Sequence, residues 1–281
     1  GAMDQTAVRL DNLLLGNPES AAVLETTMAG LKLRALSDGW IAVGGADLGL
    51  VINGRLADMW TVLSIREGDV VGFNQPRFGM RAYIGVSGGF DAPLILGSRS
   101  VYLRGTLGTA LKRGDEIRSL KSAEIHAPKK LKLPSRCIPK RDIQQAFRVL
   151  AGPQMDYFSD HGIKVFSTAT YTISPVSDRQ GIRTDGPPVE RVKGPDIITD
   201  PTPFGGIQIP GYGVPIIVHR DGQVTGGYAK IALLCQADID RAGQLCPGDE
   251  IRFEFVSRQE ALTLWKRQKQ VLAEAKEALA A

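Results

Sequence analysis

Ala7, Leu10 and Leu14 recur at the spacing of one helix face, Asp4 stands where an N-cap belongs, and Gly16-Asn17-Pro18 ends the pattern. A helix is predicted there. The hydrophobic pattern then shortens. Runs such as "WIAVGGADLGLVING" (40–54) and "RAYIGVSGG" (81–89) are broken by Gly, Asn and Asp at close intervals. That density of short strands predicts a sandwich or barrel and argues against alternating βα units. Later strand-like runs are "AFRVLAG", "YTISP", "GGIQIP", "VPIIVHRDG" and "YAKIALL". Met155, Phe158 and Val165 predict a helical segment from about Gln154 to Phe166. A second helix is predicted from Ser257, where Ser257 and Glu260 form a capping box and Leu262, Trp265, Leu272 and Leu279 lie along one stripe.

One phrase repeats. "EGDVV" (67–71) returns as "RGDEI" (113–117) and "PGDEI" (247–251), each a Gly-Asp turn before an apolar continuation. Each is read as the start of a final strand of a barrel-like half. Between the halves, residues 121–142 hold seven Lys or Arg against two acids and three prolines, which predicts a solvated linker. A docking strip for an acidic partner is the alternative. The expected boundaries are an N-terminal β-barrel-like domain at 1–125, a basic linker at 126–142, a C-terminal barrel domain at 143–256 and a terminal helix at 257–281.

Composition narrows the function classes. The chain has 281 residues, enough for two domains, and 43% hydrophobic against 23% charged residues describe a globular protein with real cores. A formal charge of +4 without an aromatic-plus-basic array gives no reason to expect nucleic acid. No apolar run approaches a membrane span. Cys137, Cys235 and Cys246 form no CxxC pair and His126, His161 and His219 are scattered, so reduced thiols in a cytoplasm are expected and a metal site is not. No GxGxxG or GxxxxGK[ST] loop is present for a nucleotide, and no Met-Lys pair for carrying biotin.

Candidate chemistry gathers in two places. In "SPVSDRQGIRTDG", Ser177, Asp178, Arg179 and Arg183 crowd one connection after an apolar strand. The planar fork of arginine grips a carboxylate or ureido oxygen, and aspartate orients it or accepts an N–H; a purely structural turn is the alternative. In "TGGYAKIALL", Lys230 follows Tyr228 by two, so on a regular strand both face one way. A lysine in that apolar run must snorkel or meet a partner. Gly226-Gly227 before it reads as a bulge that also admits a ligand, with Lys230 facing the cavity. Gln208, an amide between isoleucines, wants hydrogen-bond partners. Asp221 and Gln223 read as ordinary turn chemistry.

These phrases carry a resemblance. "GAMDQTAVRLDNLLLGNPESAAVLE", "RAYIGVSGGFDAPLILGSRSVYLRG", "RVLAGPQMDYF", "YTISPVSDRQGIRTDGP", "GGIQIPGYGVPIIVHRDGQVTGGYAKIA" and "PGDEIRFEFVS" resemble, in order, the allophanate hydrolase subunit 2 family, also called the biotin-dependent carboxyltransferase family. That family includes the carboxyltransferase part of urea amidolyase, the C component of 5-oxoprolinase and the kinase-inhibitor antagonist of sporulating bacilli. The resemblance implies two cyclophilin-like β-barrel domains with a few short helices. It implies a subunit of an enzyme that acts on a small amide, lactam or urea-type substrate, inactive without partners: ATP-dependent ring opening, or carboxyl transfer from biotin to an amide nitrogen. The chain itself is expected to bind neither cofactor directly; biotin would sit on a partner carrier and ATP on a partner subunit. Implied partners are a subunit 1 sibling and either a biotin carboxylase with its carrier or a lactam-utilisation protein.

By this resemblance Asp178, Arg179 and Lys230 are the expected catalytic residues. Ser177, Arg183, Gln208, Gly226, Gly227 and Tyr228 are the expected substrate-binding ones. The alternative is a non-catalytic protein that sequesters its sibling, and prolyl isomerisation follows from fold likeness alone. Departures touch the site: the family commonly has methionine at Gln180, an aromatic at Ile182, threonine at Val224 and proline at Ala229. The family also carries a segment ahead of the Gly-Ala-Met-Asp phrase, so the sequence is expected to begin inside the family pattern.

Overall fold

Asp4 caps the first helix as the pattern predicts: its Oδ1 accepts the Ala7 N–H at 3.0 Å, and α1 runs over Gln5–Leu14 with Ala7, Leu10 and Leu14 buried. The computed structural model describes all residues except 29, 121–131, 141, 143 and 281. The chain divides into two compact units, residues 1–140 with 269–281, and residues 141–268. Of the stretch expected as a basic linker, residues 126–131 and 141 lie outside the described residues. Residues 132–140 do not form a solvated connection. Leu133 and Cys137 are buried beside Trp60 and α1 residues, and the Leu133 N–H donates to the Trp60 carbonyl at 2.9 Å. Apolar side chains at 133, 137 and 138 outweigh the lysines around them.

The first unit consists of β1 (Leu24–Thr27), β2 (Lys32–Arg34), β3 (Gly39–Asp47), β4 (Leu50–Ile52), β5 (Arg55–Leu56), β6 (Leu63–Ile65), β7 (Val70–Phe73) and β8 (Phe78–Val86). They form two antiparallel sheets, ordered β1-β8-β3-β6 and β2-β7-β4-β5. One core lies between them: Ile41, Val43, Ala82 and Ile84 from the first sheet meet Leu50, Val71 and Phe73 from the second.

The second unit contains β9 (Phe147–Ala151), α2 (Asp160–Thr168), β10 (Tyr171–Ile173), β11 (Gly181–Asp185), β12 (Asp196–Pro201), β13 (Gly206–Gln208), β14 (Ile216–Val218), β15 (Thr225–Tyr228), β16 (Lys230–Leu234), α3 (Gln236–Ala242), β17 (Glu250–Ile251) and β18 (Phe253–Phe255). Eight strands form one sheet, ordered β17-β10-β11-β14-β13-β16-β9-β18. Its two edges are consecutive in sequence, with only Arg252 between them. Residues 250–255 therefore pair with β10 at one end and β9 at the other, and the sheet closes on itself as a barrel. The chain is mainly β, as expected. Phe147, Val149, Ile207, Ile217, Ile231 and Phe253 fill the barrel core.

The three Gly-Asp turns share one geometry. Gly68, Gly114 and Gly248 have φ of 90°, 94° and 91°, which glycine alone adopts readily. In each the aspartate carboxylate accepts the N–H three residues back, at Arg66, Lys112 and Cys246, and its own N–H returns to that residue's carbonyl. The outcomes differ. The first leads into β7, the third into the closing strand β17, and the second only into an isolated bridge between Ser119 and Phe90.

Two helix expectations are refined. Ser159 breaks the segment predicted over 154–166: a 3-10 turn spans Met155–Tyr157, and Ser159 Oγ then caps α2 through the Gly162 N–H at 3.0 Å. The last helix, α4, spans Arg258–Ala280 behind the predicted capping box, in which Glu260 accepts the Ser257 N–H at 2.7 Å. Leu272 and Ala275 are buried in the first unit, while Leu262 is exposed.

Candidate functional site

Strand register assembles a cavity in the second unit. Arg183 of β11 stands opposite Ile216 of β14, and Ile216 stands opposite Gln208 of β13, so the three form one row on one face of the sheet. With Gln180, Gly181, Val218, Pro210 and Tyr212, and with Gln223 and Tyr228 at the two ends of the 223–228 segment, they line a cavity of about 160 Å³. The wall is thus one guanidinium, three carboxamides and two phenols set in a small apolar frame.

Of the expected residues, Arg183, Gln208 and Tyr228 reach this cavity; Asp178, Arg179 and Lys230 do not line it. Asp178 Oδ1 accepts the backbone N–H groups of Gln180 at 2.8 Å and Gly181 at 3.1 Å, a self-capped turn. Arg179 is held by both oxygens of Asp221, at 2.8 and 3.0 Å, and the Asp221 N–H returns to the Arg179 carbonyl at 2.9 Å. Ser177 Oγ accepts the Arg183 N–H at 3.0 Å and donates to the Arg183 carbonyl at 3.2 Å, pinning the backbone that carries Arg183. These residues hold the cavity's edge in place.

Lys230 stands opposite Gln208 in the next strand, but the register shifts between Ile207 and Gln208. Its side chain is 1% exposed and its Nζ lies 2.9 Å from Asp200 Oδ2 on β12. Gln154 completes the cluster: its Oε1 accepts the Lys230 N–H at 3.1 Å and its Nε2 donates to Asp200 at 3.3 Å. A buried ammonium needs an anion, and Asp200 supplies it. The lysine holds Asp200 below the usual carboxylate range.

Gly226 and Gly227 do not form the expected bulge. The extra residues sit on β12, where Asp196 pairs with Tyr228 and Asp200 with Gly226. What Gly226 provides is room. A Cβ there would lie 2.8 Å from Gln208 Nε2, 2.8 Å from Gln223 Nε2 and 3.0 Å from Thr202 Oγ1. At Gly227 the nearest atom is the Ile197 carbonyl oxygen at 3.7 Å. Gln208 is 3% exposed, and its Nε2, like Thr202 Oγ1, has no hydrogen-bond partner among the described residues.

Sequence reasoning misses Tyr212 and Gln223 as wall, and Asp200 and Gln154 as partners of Lys230. Gln223 reads locally as turn chemistry, and no local signal marks any of the four. The pentapeptide 85–89 carries a Gly-x-Ser-x-Gly spacing, but Ser87 is buried and no helix directly follows it. Among the described residues no cluster of His, Cys, Asp and Glu is placed to hold a metal ion, and no helix is long and apolar enough to cross a membrane.

Comparison with known proteins agrees with this architecture. The family model described as the carboxyltransferase domain, subdomain A and B, matches residues 1–255. The C component of 5-oxoprolinase from Escherichia coli is 32% identical over 270 residues, covering 93% of this chain and 84% of that protein. Urea amidolyase of Lachancea kluyveri is 28% identical over 291 residues, covering 95% of this chain and 16% of the larger protein. Among solved structures, the Kluyveromyces lactis urea carboxylase superposes with a TM-score of 0.89 at 27% identity, over 99% of this chain and 27% of that one. The fold, the order of its motifs and the match along nearly the whole chain lead to one conclusion: this chain belongs to the carboxyltransferase domain family, subdomains A and B.

Proposed function

We propose that the chain is a subunit of an enzyme acting on a small lactam or urea-type amide, and that the barrel cavity is its substrate site. The observation that carries this reading is the wall itself: Arg183, Gln180, Gln208 and Gln223 surround about 160 Å³, room for a small planar molecule. An amide or ureido oxygen accepts from such donors, and charge that develops on it is stabilised by a guanidinium and by carboxamide N–H groups. The relatives include a component of 5-oxoprolinase and a urea amidolyase, and the chain is proposed to work beside a subunit 1 sibling. The donor set also fits a planar ureido or carboxyl oxygen, which a carboxylated biotin on a partner's carrier would present. That group would supply an activated carboxyl, as ATP on a partner subunit would supply activation in the lactam reaction. Arg183 and the glutamines bind and orient the amide in either case.

Affinity capture of the chain from its native host, followed by turnover assays of the captured complex, tests this. ATP-dependent consumption of 5-oxoproline, or bicarbonate-dependent ATP use with urea, is expected, and Gln208→Ala should reduce it with capture unchanged. Full turnover in Gln208→Ala would remove the cavity from the reaction.

One observation favours a second reading, an interaction protein that sequesters its sibling. Asp178, Arg179 and Lys230, whose presence speaks for catalysis in the sequence, each have a structural partner. A captured complex in which the sibling's own activity rises when this chain is removed would support it.

A further inference from the structure

We infer that residues 91–118 of the first unit are a docking surface for a folded protein whose facing patch is apolar at its centre and acidic at its rim. The inference rests on the reading that this chain works beside a subunit 1 sibling, which is the occupant it assigns. The segment follows β8 and has a closed base: the Asp91 N–H donates to the Arg118 carbonyl and the Leu120 N–H to the Gly89 carbonyl, both at 2.8 Å. Between those ends no residue is buried. Short local turns set its shape instead. Ile95 and Ser98 exchange backbone hydrogen bonds at 2.8 and 2.9 Å, Tyr102 and Leu107 at 2.8 and 3.1 Å, and Asp115 closes its Gly-Asp turn on Lys112. The backbone is thus held while Leu94, Leu96, Leu103 and Leu111 all stand exposed.

Leu96 carries the argument furthest. Its φ is 49°, in the left-handed region that suits glycine or asparagine and strains a leucine. The side chain is 91% exposed, so the fold gains nothing from its being leucine. A strained leucine in water, on a segment with three more exposed leucines, marks a surface that a partner covers. Charge states what kind of partner. The segment carries five Arg or Lys against three Asp or Glu, and one of those acids, Asp115, is engaged by the Lys112 N–H. The Lys112 and Arg113 side chains make no ion pair or hydrogen bond among the described residues. Complementarity therefore calls for acids around the apolar contact. A second copy of this chain is a poor match, because it brings the same cations and a net charge of +4. A membrane surface is a poor match too, since residues 91–118 hold no α-helix and no Trp or Phe.

Calorimetric titration of the whole chain with its purified subunit 1 sibling tests this. Leu96→Asn combined with Leu103→Ser is expected to weaken binding at least roughly tenfold, the scale of two leucines removed from an interface. Asparagine tolerates the positive φ and neither side chain is buried, so the thermal melt of that variant should match the parent's. Lys112→Glu combined with Arg113→Glu should weaken binding and reduce its salt dependence. Leu36→Ser combined with Leu56→Ser, two exposed leucines of the same unit outside the segment, should change nothing. Parental affinity in the Leu96 and Leu103 variant, or an equal loss in the Leu36 and Leu56 variant, overturns the inference and leaves the sibling reading standing. So does a parent chain that sediments as a dimer, or binds phosphatidylserine vesicles, through Leu96 and Leu103. No binding of the sibling to the parent chain overturns both.

Discussion

Lys230 and Asp200 form an ion pair of 2.9 Å in which the lysine side chain is 1% exposed and the aspartate side chain 41% exposed. One charge is sealed in the barrel and its partner faces outward, so the pair is a brace for β12 against β16. Lys230→Ala removes a buried stem and is expected to destabilise the second unit by roughly 2–4 kcal/mol. Lys230→Met, which keeps the stem and discards the charge, should cost less. Chemical denaturation of the two variants decides it; a Lys230→Met protein as stable as the parent would contradict the brace.

The same pair has a pH signature. Lys230 lowers the Asp200 pKa in the folded state, so its contribution is present above the ordinary carboxylate range and is lost as pH falls through the lowered value. Thermal melts of the parent and Asp200→Asn should converge as pH falls below about 4 and separate above it.

Arg179 and Asp221 tie the 177–180 loop to the 219–222 turn, bringing Gln180 and Gln223 to the cavity. Arg179→Lys cannot make both bonds. A double-mutant cycle between Arg179→Ala and Asp221→Ala should return a coupling of about 1 kcal/mol, as both side chains are partly exposed. A coupling near zero would make the contact incidental.

Gly226 and Gly227 are predicted to differ sharply. Gly226→Ala drives a methyl into the Gln208 and Gln223 amides and Thr202, and should cost about 1–3 kcal/mol along with most ligand affinity. Gly227→Ala meets nothing closer than 3.7 Å and should leave both nearly unchanged. Titration and unfolding of the two variants give the comparison directly.

Asp11 is fully buried on α1, next to Gly44 and Trp60. Burial pushes its carboxyl well above the usual range; the Gly44 N–H offsets part of this and Asp4 adds to it. The folded state therefore keeps a proton that the unfolded chain releases above about pH 4. Stability from this group falls as pH rises from there to the raised folded value. Asp11→Asn should flatten that slope and make the protein more stable than the parent at pH 7, as read from thermal melts across pH.

Local chemistry is legible in the chain itself. The Asp4 cap, the Ser257–Glu260 box and the three Gly-Asp turns each involve partners within about one turn of chain, so residue type and spacing determine them. The mainly β character and the closing role of "PGDEI" follow from apolar runs and turn residues. Gln208 is identifiable as an amide between isoleucines, Arg183 as a member of a crowded polar phrase, and Tyr228 by its spacing from Lys230 and by the resemblance. The choice among charged residues is not available there. Arg179 meets Asp221 across 42 positions and Lys230 meets Asp200 across 30, and only the closed barrel brings those segments together. A cavity wall is set by strand register, in which Arg183, Ile216 and Gln208 become neighbours without any sequence relationship. Residue type thus determined which groups had to find partners, and tertiary packing decided that Arg179 and Lys230 found them inside the fold while the Arg183 side chain found none among the described residues.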